Sequence, residues 1–288
     1  MSPADALITE RGKGTSMNIV PVELAHLTAL DCAPVAFCAL AAATGYQSVS
    51  LRMAPVAPGA IHYPLSSKSA ALNETRAAIT DTGIRISSVE IVSLSPDLDI
   101  CTVEPLLAAG AELGATGLCV TGDDGQTSRI SETFARLCEL AHGYGINVDL
   151  EFMRWRPVAT LQDALAVVSA AGAPNGFVLI DVLHLIRSGG SAADIARANP
   201  AQLRCVQLCD AHAENPAGLD VIGEARGGRL PIGDGQLPLA EIIATLPERV
   251  SWAAELPTSA ATGRAAPREA QLSRSRQTIA DLFTADQQ

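Results

Sequence analysis

The sequence predicts a single-domain α/β protein, a (β/α)8 TIM barrel, and three observations point to this fold. Strand-like apolar runs recur along the chain, and a helix-like run follows each of them. No long linker rich in proline or serine divides the chain. Its 288 residues, 48% of them hydrophobic and 18% charged, suffice for one large core. A doubly wound open sheet is the alternative arrangement of the same elements.

The predicted barrel spans residues 17–288, after a flexible leader at residues 1–16. Its strands are expected at residues 18–24, 47–53, 84–92, 115–121, 146–152, 176–182, 204–210 and 250–256. The segments between them have helical periodicity. Thr160 with Asp163 and Ser191 with Asp194 are the capping signals of two helices. The glycines expected to end helices are Gly45, Gly83, Gly145 and Gly172.

Polar residues stand near the ends of the last four predicted strands. In the segment INVDLEF, apolar and polar residues alternate, so Glu151 faces away from its apolar neighbours. The apolar face of a barrel strand meets the helices, which turns Glu151 into the lumen. The same alternation turns Asp181, Gln207 and Glu255 inward. Neighbouring strands therefore deliver polar side chains to the C-terminal mouth, where barrel active sites form.

These four side chains form a hard, oxygen-rich set of ligands. Carboxylate and amide oxygens suit Mg2+, Mn2+ or a similar ion. Carboxylates held this close repel one another unless a cation neutralises them. We therefore expect one divalent metal ion bound by Glu151, Asp181, Gln207 and Glu255. The alternative is that each acid separately forms a salt bridge or caps a helix.

Charge and composition argue against several classes of function. The net charge of -11 and the scattered basic residues disfavour a nucleic-acid partner. No apolar run approaches the roughly 20 residues of a membrane span, so we expect no membrane partner and a cytoplasmic location. The seven cysteines form no CxxC pair, which fits buried thiols in a reducing compartment. Lys13 and Lys68 lie outside the predicted strands, which disfavours Schiff-base chemistry.

Several motifs carry a family resemblance that begins at about Asn18. They are LEFMRW (150–155), LIDVLHLIRSGG (179–190), VQLCDA (206–211), GGRLPIGDGQLPL (227–239) and AELP (254–257). Together they resemble the sugar phosphate isomerase/epimerase family, part of the xylose-isomerase-like TIM-barrel superfamily. The resemblance implies a barrel with a metal site at its mouth.

The resemblance also implies roles for individual residues. Glu151, Asp181 and Glu255 match the carboxylate ligands of the family, and Gln207 stands where many members have a ligating histidine. His184 matches the end of a D-x-x-H motif, whose histidine usually contacts the substrate or supports a ligand.

Arg229 and the residues after it resemble an R-x-x-P-G-E-G loop, with Ile232 in place of Pro and Asp234 in place of Glu. Positions in this motif, at strand ends or in nearby loops make six residues candidate substrate contacts. They are His184, Arg229, His212, Glu90, Arg52 and His62.

The predicted function is a metal-dependent isomerase or epimerase of a sugar, a sugar phosphate or a keto-polyol. A metal that chelates the carbonyl and adjacent hydroxyl oxygens stabilises the enediolate formed when the α-proton leaves. Glu151 and Glu255 approach from different strands, so one can remove a proton and the other return it. The expected partner is a small polyhydroxylated carbonyl compound, and the oligomeric state stays open.

Two alternatives remain at this stage. Loss of a β-hydroxyl after the same proton abstraction would make the protein a lyase, and Gln207 resembles the 3-dehydroshikimate dehydratases of the family in that detail. A non-catalytic barrel that binds a sugar-like ligand is the second alternative. Endonuclease chemistry of the superfamily would need more histidine ligands than the five histidines of this chain supply.

Overall fold

Parallel strands close into a barrel in the computed structural model, which describes residues 20–257 and 267–285. The strands are β1 (Val22–Leu24), β2 (Ser48–Arg52), β3 (Arg85–Leu94), β4 (Gly117–Gly122), β5 (Asn147–Glu151), β6 (Gly176–Asp181), β7 (Leu203–Leu208) and β8 (Ser251–Ala254). Each strand pairs with the next, and β8 pairs with β1. The predicted barrel is confirmed, and the open sheet is wrong. The predicted leader lies outside the described residues.

Helices surround this barrel. They are α1 (Pro34–Ala43), α2 (Ala70–Thr82), α3 (Glu104–Glu112), α4 (Thr127–His142), α5 (Leu161–Ala171), α6 (Val182–Arg187), α7 (Ala192–Arg197), α8 (Val221–Gly227), α9 (Leu239–Thr245) and α10 (Arg268–Ala285). In the part of the chain that the structure describes, no helix is long and apolar enough to cross a membrane.

The predicted helix ends have identifiable caps. Thr160 and Asp163 form a reciprocal capping box at the start of α5, and Gly172 ends that helix with a φ of +61°. Helix α7 begins after Ser191 as predicted. The Ser191 hydroxyl, however, donates to the Asp194 carboxylate at 2.7 Å and does not cap a backbone amide.

Alternation along the strands separates an outer core from the lumen. On β5, Val148 and Leu150 are fully buried in the apolar layer between the strands and the helices. The lumen has its own apolar cluster, made of Ile91, Cys119, Met153, Leu179, Cys205 and Ala253. The strand pattern therefore fixes which side chains reach the inside of the barrel.

A polar layer fills the lumen towards the N-terminal ends of the strands. Arg204 Nε donates to Asp149 Oδ1 at 2.6 Å, and the Ser87 hydroxyl donates to the Glu23 carboxylate. Burial raises the pKa of Glu23 to about 7. Gly117 is needed in this layer, because a Cβ there would lie 2.5 Å from Arg204 Nη2.

Candidate metal centre and active site

Four polar side chains meet at the C-terminal mouth of the barrel. Glu151 and Asp181 are the last residues of β5 and β6, Gln207 lies in β7, and Glu255 follows β8 directly. Asp181 is paired in register with Gln207, and the amide of Glu255 donates to Leu208 O at 2.9 Å. None of the four is more than 4% exposed. The C-terminal ends of β5 to β8 therefore place these four side chains inside the mouth of the barrel.

A histidine joins two of the carboxylates. Glu151, Asp181 and His184 each offer a ligand atom, and these atoms lie within 4.8 Å of one another. His184 Nε2 is 3.4 Å from Glu151 Oε1. Asp181 caps the N-terminus of α6, because its Oδ1 accepts the His184 backbone amide at 2.9 Å. That first turn carries the imidazole back towards the strand ends, so His184 lies beside the acids.

Arg229 forms ion pairs with two of the carboxylates, Asp181 and Glu255. Its Nη1 donates to Asp181 Oδ2 at 2.5 Å, and its Nη2 lies 2.9 Å from Glu255 Oε2. Its Nε donates to Ala225 O at 2.9 Å, and the side chain is 1% exposed. The guanidinium therefore holds Asp181 and Glu255 in fixed orientations.

The loop that follows Arg229 is built around one carboxylate. Asp210 Oδ2 accepts the amides of Gly233 at 3.1 Å and Gly235 at 3.0 Å, and its Oδ1 accepts the amide of Leu237 at 3.1 Å. A Cβ on Gly235 would lie 2.1 Å from Asp210 Oδ1, so this position requires glycine. Asp210 thereby fixes the segment that carries Arg229 into the site.

Burial and charge set the protonation states of the cluster. Burial raises the pKa of Glu151 to about 8, and repulsion by Asp181 adds to this effect. Burial also raises the pKa of Glu255 well above its usual range. Burial alone would raise the pKa of Asp181, but the Arg229 guanidinium and the hydrogen bond from the His184 backbone amide outweigh it and lower the pKa to about 2. Burial lowers the pKa of His184 to about 4, which keeps the imidazole neutral.

Gln207 contacts Glu255 and faces the lumen. Its Nε2 donates to Glu255 Oε1 at 3.4 Å, while its Oε1 has no hydrogen-bond partner in the described part of the chain. The same side chain lines a small cavity of about 80 Å³ inside the barrel. A buried amide oxygen without a partner is unfavourable. The Gln207 Oε1 atom is therefore available to coordinate a cation or to accept a hydrogen bond from a water.

The charges at the mouth fit a divalent cation. Glu151, Asp181 and Glu255 supply up to three negative charges, against which Arg229 supplies one positive charge. The raised pKa values of the two glutamates follow from burial of this acidic set. Carboxylate oxygens and a neutral imidazole are suitable ligands for Mg2+, Mn2+ or Zn2+. The residues present therefore fit the metal that the sequence predicted.

Glu151 and His184 lie in the wall of a pocket of about 190 Å³. Its other charged side chains are Arg52, Arg226, Arg229 and Glu255. Its apolar side chains include Leu30, Val56, Ile61, Ile91, Met153 and Trp155. The Trp155 ring meets the His184 ring edge-on, with centroids 5.0 Å apart.

Arg52 and Glu90 form a buried ion pair beside the pocket. Arg52 Nε donates to Glu90 Oε2 at 2.8 Å, and the Ser50 hydroxyl donates to the same carboxylate. Arg52 reaches the pocket wall, whereas Glu90 faces the lumen cavity. Next to them, His26 is fully buried and its Nδ1 accepts the Arg52 amide at 2.9 Å, so this histidine supports the wall.

The structure places three predicted contacts away from the lining of this pocket, and one of them is Glu90, which faces the lumen cavity instead. His212 is exposed, and His62 bonds to Ala60 O at 3.0 Å without lining the pocket. Sequence reasoning missed Trp155 and Arg226. Trp155 lies four residues after Glu151 in the loop behind β5, and such loops form the mouth of a barrel, so its position was the available signal.

Comparison with known proteins places the fold. A model of the xylose isomerase-like TIM barrel family matches residues 38–275. No curated protein matches. The IolI protein with a bound zinc atom has 15% identity and a TM-score of 0.73, over 92% of this chain and 99% of its own.

Two further solved structures share the fold at similar identity. An L-ribulose 3-epimerase has 15% identity and a TM-score of 0.70, over 93% of this chain and 96% of its own. The probable 3-DHS dehydratase AsbF of Bacillus anthracis has 15% identity and a TM-score of 0.69, over 90% of this chain and 98% of its own. The family match covers most of the sequence, and these likenesses agree with it in fold. This chain therefore belongs to the xylose isomerase-like TIM barrel family.

Proposed function

We propose that this protein is a divalent-metal-dependent isomerase or epimerase of a small hydroxy-ketone, such as a sugar, a sugar phosphate or a keto-polyol. One observation carries the proposal. Two buried glutamates, Glu151 and Glu255, enter one pocket from different strands. Carboxylates on two sides of one substrate can remove a proton from carbon and return it.

Glu151, Asp181 and His184 would hold the metal, with Glu255 and Gln207 as further ligands at the same mouth. A bound divalent cation would polarise the substrate carbonyl and make the adjacent C–H more acidic. The zinc-bound IolI protein, which shares the fold, supports a metal in this kind of barrel.

The side chains of the protein would transfer the protons and hold the substrate. One of Glu151 and Glu255 removes the proton from the carbon next to the carbonyl, and the other delivers a proton. Arg229, 2.9 Å from Glu255 Oε2, keeps that carboxylate oriented. Neutral His184 can donate a hydrogen bond to a substrate oxygen or serve as a ligand, depending on which ring nitrogen carries the proton.

A dehydratase is the second candidate, and the apolar side of the pocket favours it. Val56 and Ile91 offer no hydrogen bonds to a sugar hydroxyl at that side. A substrate with few hydroxyls, such as a cyclic keto acid, would suit this wall better than an open-chain ketose. Loss of a β-hydroxyl after proton removal by Glu151 or Glu255 completes that reaction.

Solvent exchange in D2O tests the proposal. The protein loaded with Mn2+ is incubated with a panel of ketoses, ketose phosphates and cyclic polyol ketones, and products are followed by NMR. We expect deuterium at the carbon next to the carbonyl in one panel member, together with its epimer or isomer. Formation of protocatechuate from 3-dehydroshikimate would select the dehydratase instead.

Variants of the two glutamates complete the test. Glu151→Gln and Glu255→Gln should each lower turnover by at least about a hundredfold, the usual contribution of a general acid or base. The exposed Glu139→Gln on α4 is the matched control and should keep full activity. Full turnover in Glu151→Gln would remove the central step. If the protein retains no divalent metal and Mn2+ leaves its Tm unchanged, a non-catalytic barrel is the better account.

A further inference from the structure

We infer that the pocket takes a small anionic hydroxy-ketone with a hydrocarbon flank, and that Arg226 binds its anionic group. This inference rests on the proposed function, because it names the substrate class of the same site. Three features of the pocket carry it: the state of its arginines, the nature of its apolar wall and its size.

Two of the three pocket arginines are already neutralised by protein carboxylates. Arg52 pairs with Glu90 at 2.8 Å, and both side chains are buried. Arg229 pairs with Asp181 and Glu255 and is 1% exposed. Both guanidinium groups already balance buried carboxylates, so neither offers an uncompensated positive charge to an incoming anion.

Arg226 differs from these two arginines. It lines the pocket and is exposed, and it makes no hydrogen bond or ion pair within residues 20–257 and 267–285. The nearest acid along α8, Glu224, is fully buried and engaged with Arg187, whose Nη2 lies 2.6 Å from Glu224 Oε1. Among the described residues, Arg226 is therefore the pocket arginine that has no carboxylate partner.

Hydrogen bonds at both ends of α8 fix the position of the Arg226 backbone. Asp220 caps the start of α8, because its Oδ1 accepts the Gly223 amide at 2.6 Å. At the other end, Ala225 O accepts Arg229 Nε at 2.9 Å. The backbone that carries Arg226 is thus tied to the same guanidinium that orients Glu255.

The apolar wall restricts what joins the anion to the ketone. Ile61 is 56% exposed, one of the large apolar side chains that the described structure leaves in contact with solvent. Ile91 and Met153 continue the same wall. A hydroxyl pressed against this wall loses its water without gaining a partner, which costs about 1–3 kcal/mol. A hydrocarbon or ring face buries the wall without that loss.

The volume of the pocket limits the size of the substrate. A pocket of about 190 Å³ is smaller than the roughly 300–1,000 Å³ of sites for drug-sized ligands. The substrate class is therefore a compact hydroxy-ketone acid or phosphate, with its hydroxy-ketone end at Glu151 and its anionic end at Arg226.

Matched probes test this assignment in the full chain loaded with Mn2+. The anionic probe is 5-hydroxylevulinate, and 1-hydroxy-2-pentanone has the same hydroxy-ketone end with a methyl group in place of the carboxylate. Dihydroxyacetone phosphate tests a phosphate as the anion. Binding is followed by Trp155 fluorescence in a Trp252→Phe background, since the chain has two tryptophans and Trp252 packs against Phe283 away from this pocket.

We expect 5-hydroxylevulinate or dihydroxyacetone phosphate to bind about tenfold more tightly than 1-hydroxy-2-pentanone. Arg226→Gln should abolish this preference and leave binding of the neutral probe unchanged, while Arg226→Lys should retain part of it. Arg136→Gln on α4 removes an equal charge at an exposed position outside the pocket and should have no effect. Ile61→Ser should weaken both five-carbon probes.

Three outcomes overturn the inference. The first is equal affinity for the neutral and the anionic probes. The second is an intact preference in Arg226→Gln, and the third is an equal loss of preference in Arg136→Gln. In each of these cases the hydroxy-ketone still binds, so the proposed function survives. If Mn2+ binds but none of the hydroxy-ketones does, the proposed function fails together with the inference.

Discussion

Replacing Arg229 with methionine removes the guanidinium that separates Asp181 from Glu255 but keeps most of the side-chain volume. The two contacts measure 2.5 and 2.9 Å, and all three side chains are at most 5% exposed. Removing one partner of a buried ion pair leaves uncompensated charge and costs about 3–5 kcal/mol. We therefore expect the free energy of unfolding of metal-free Arg229→Met to fall by that amount.

Urea unfolding followed by circular dichroism measures this loss, with a chelator present. Arg197→Met is the matched control, because Arg197 pairs with Asp194 at the surface and its side chain is 70% exposed. Such a change should alter the free energy of unfolding by at most about 0.5–1 kcal/mol. Mn2+ should stabilise Arg229→Met more than the wild type, since the cluster then lacks its own cation. A loss in Arg229→Met no larger than in Arg197→Met would refute this reasoning.

Three further substitutions test other parts of the account. Burial raises the pKa of Glu23 from 4.5 to about 7, so this group should lower the stability by about 3 kcal/mol as pH rises through this range. Glu23→Gln should remove that share of the fall in Tm, while the raised pKa values of Glu151 and Glu255 keep the rest of the fall in place. Asp210→Asn should speed hydrogen exchange in the loop that holds Arg229, because a carboxylate accepts its amides better than an amide oxygen does. His26→Phe should lower the free energy of unfolding by about 1–3 kcal/mol, because the Arg52 amide loses its acceptor.

Each of these predictions has a contradicting result, and the first also has a matched control. Glu248→Gln, an exposed acid in the cleft at the same end of the barrel as Glu23, should leave the pH profile unchanged. An identical dependence of Tm on pH in the wild type and in Glu23→Gln, between pH 4.5 and 8, would contradict the raised pKa of Glu23. Unchanged exchange in Asp210→Asn, or full stability in His26→Phe, would show that those hydrogen bonds contribute little.

The strands and the acids of the site could be predicted because both depend on local alternation. A closed parallel barrel brings the ends of neighbouring strands together, so Glu151, Asp181 and Glu255 had to converge once their faces were known. The position of His184 also has a local cause, since a first helical turn after Asp181 returns its side chain to the strand end.

Other parts of the site depend on contacts between distant residues. Arg229 forms an ion pair with Asp181, 48 positions earlier in the sequence. The Asp210 carboxylate accepts backbone amides that lie more than twenty positions later, such as that of Gly233. No periodicity encodes such a loop path. For the same reason, neither the exposure of Arg226 nor the distance of His62 and His212 from the pocket lining could be read from the sequence.

Metal content is the most direct test of the central claim, that Glu151, Asp181 and His184 stand together to bind a cation. Elemental analysis of the purified protein should find about one divalent ion per chain, and Mn2+ at a hundred times its Kd should add about 3 kcal/mol of stability. Asp181→Asn should lose both. A wild-type protein without a divalent ion, whose Tm does not respond to Mn2+, Mg2+ or Zn2+, would contradict the account.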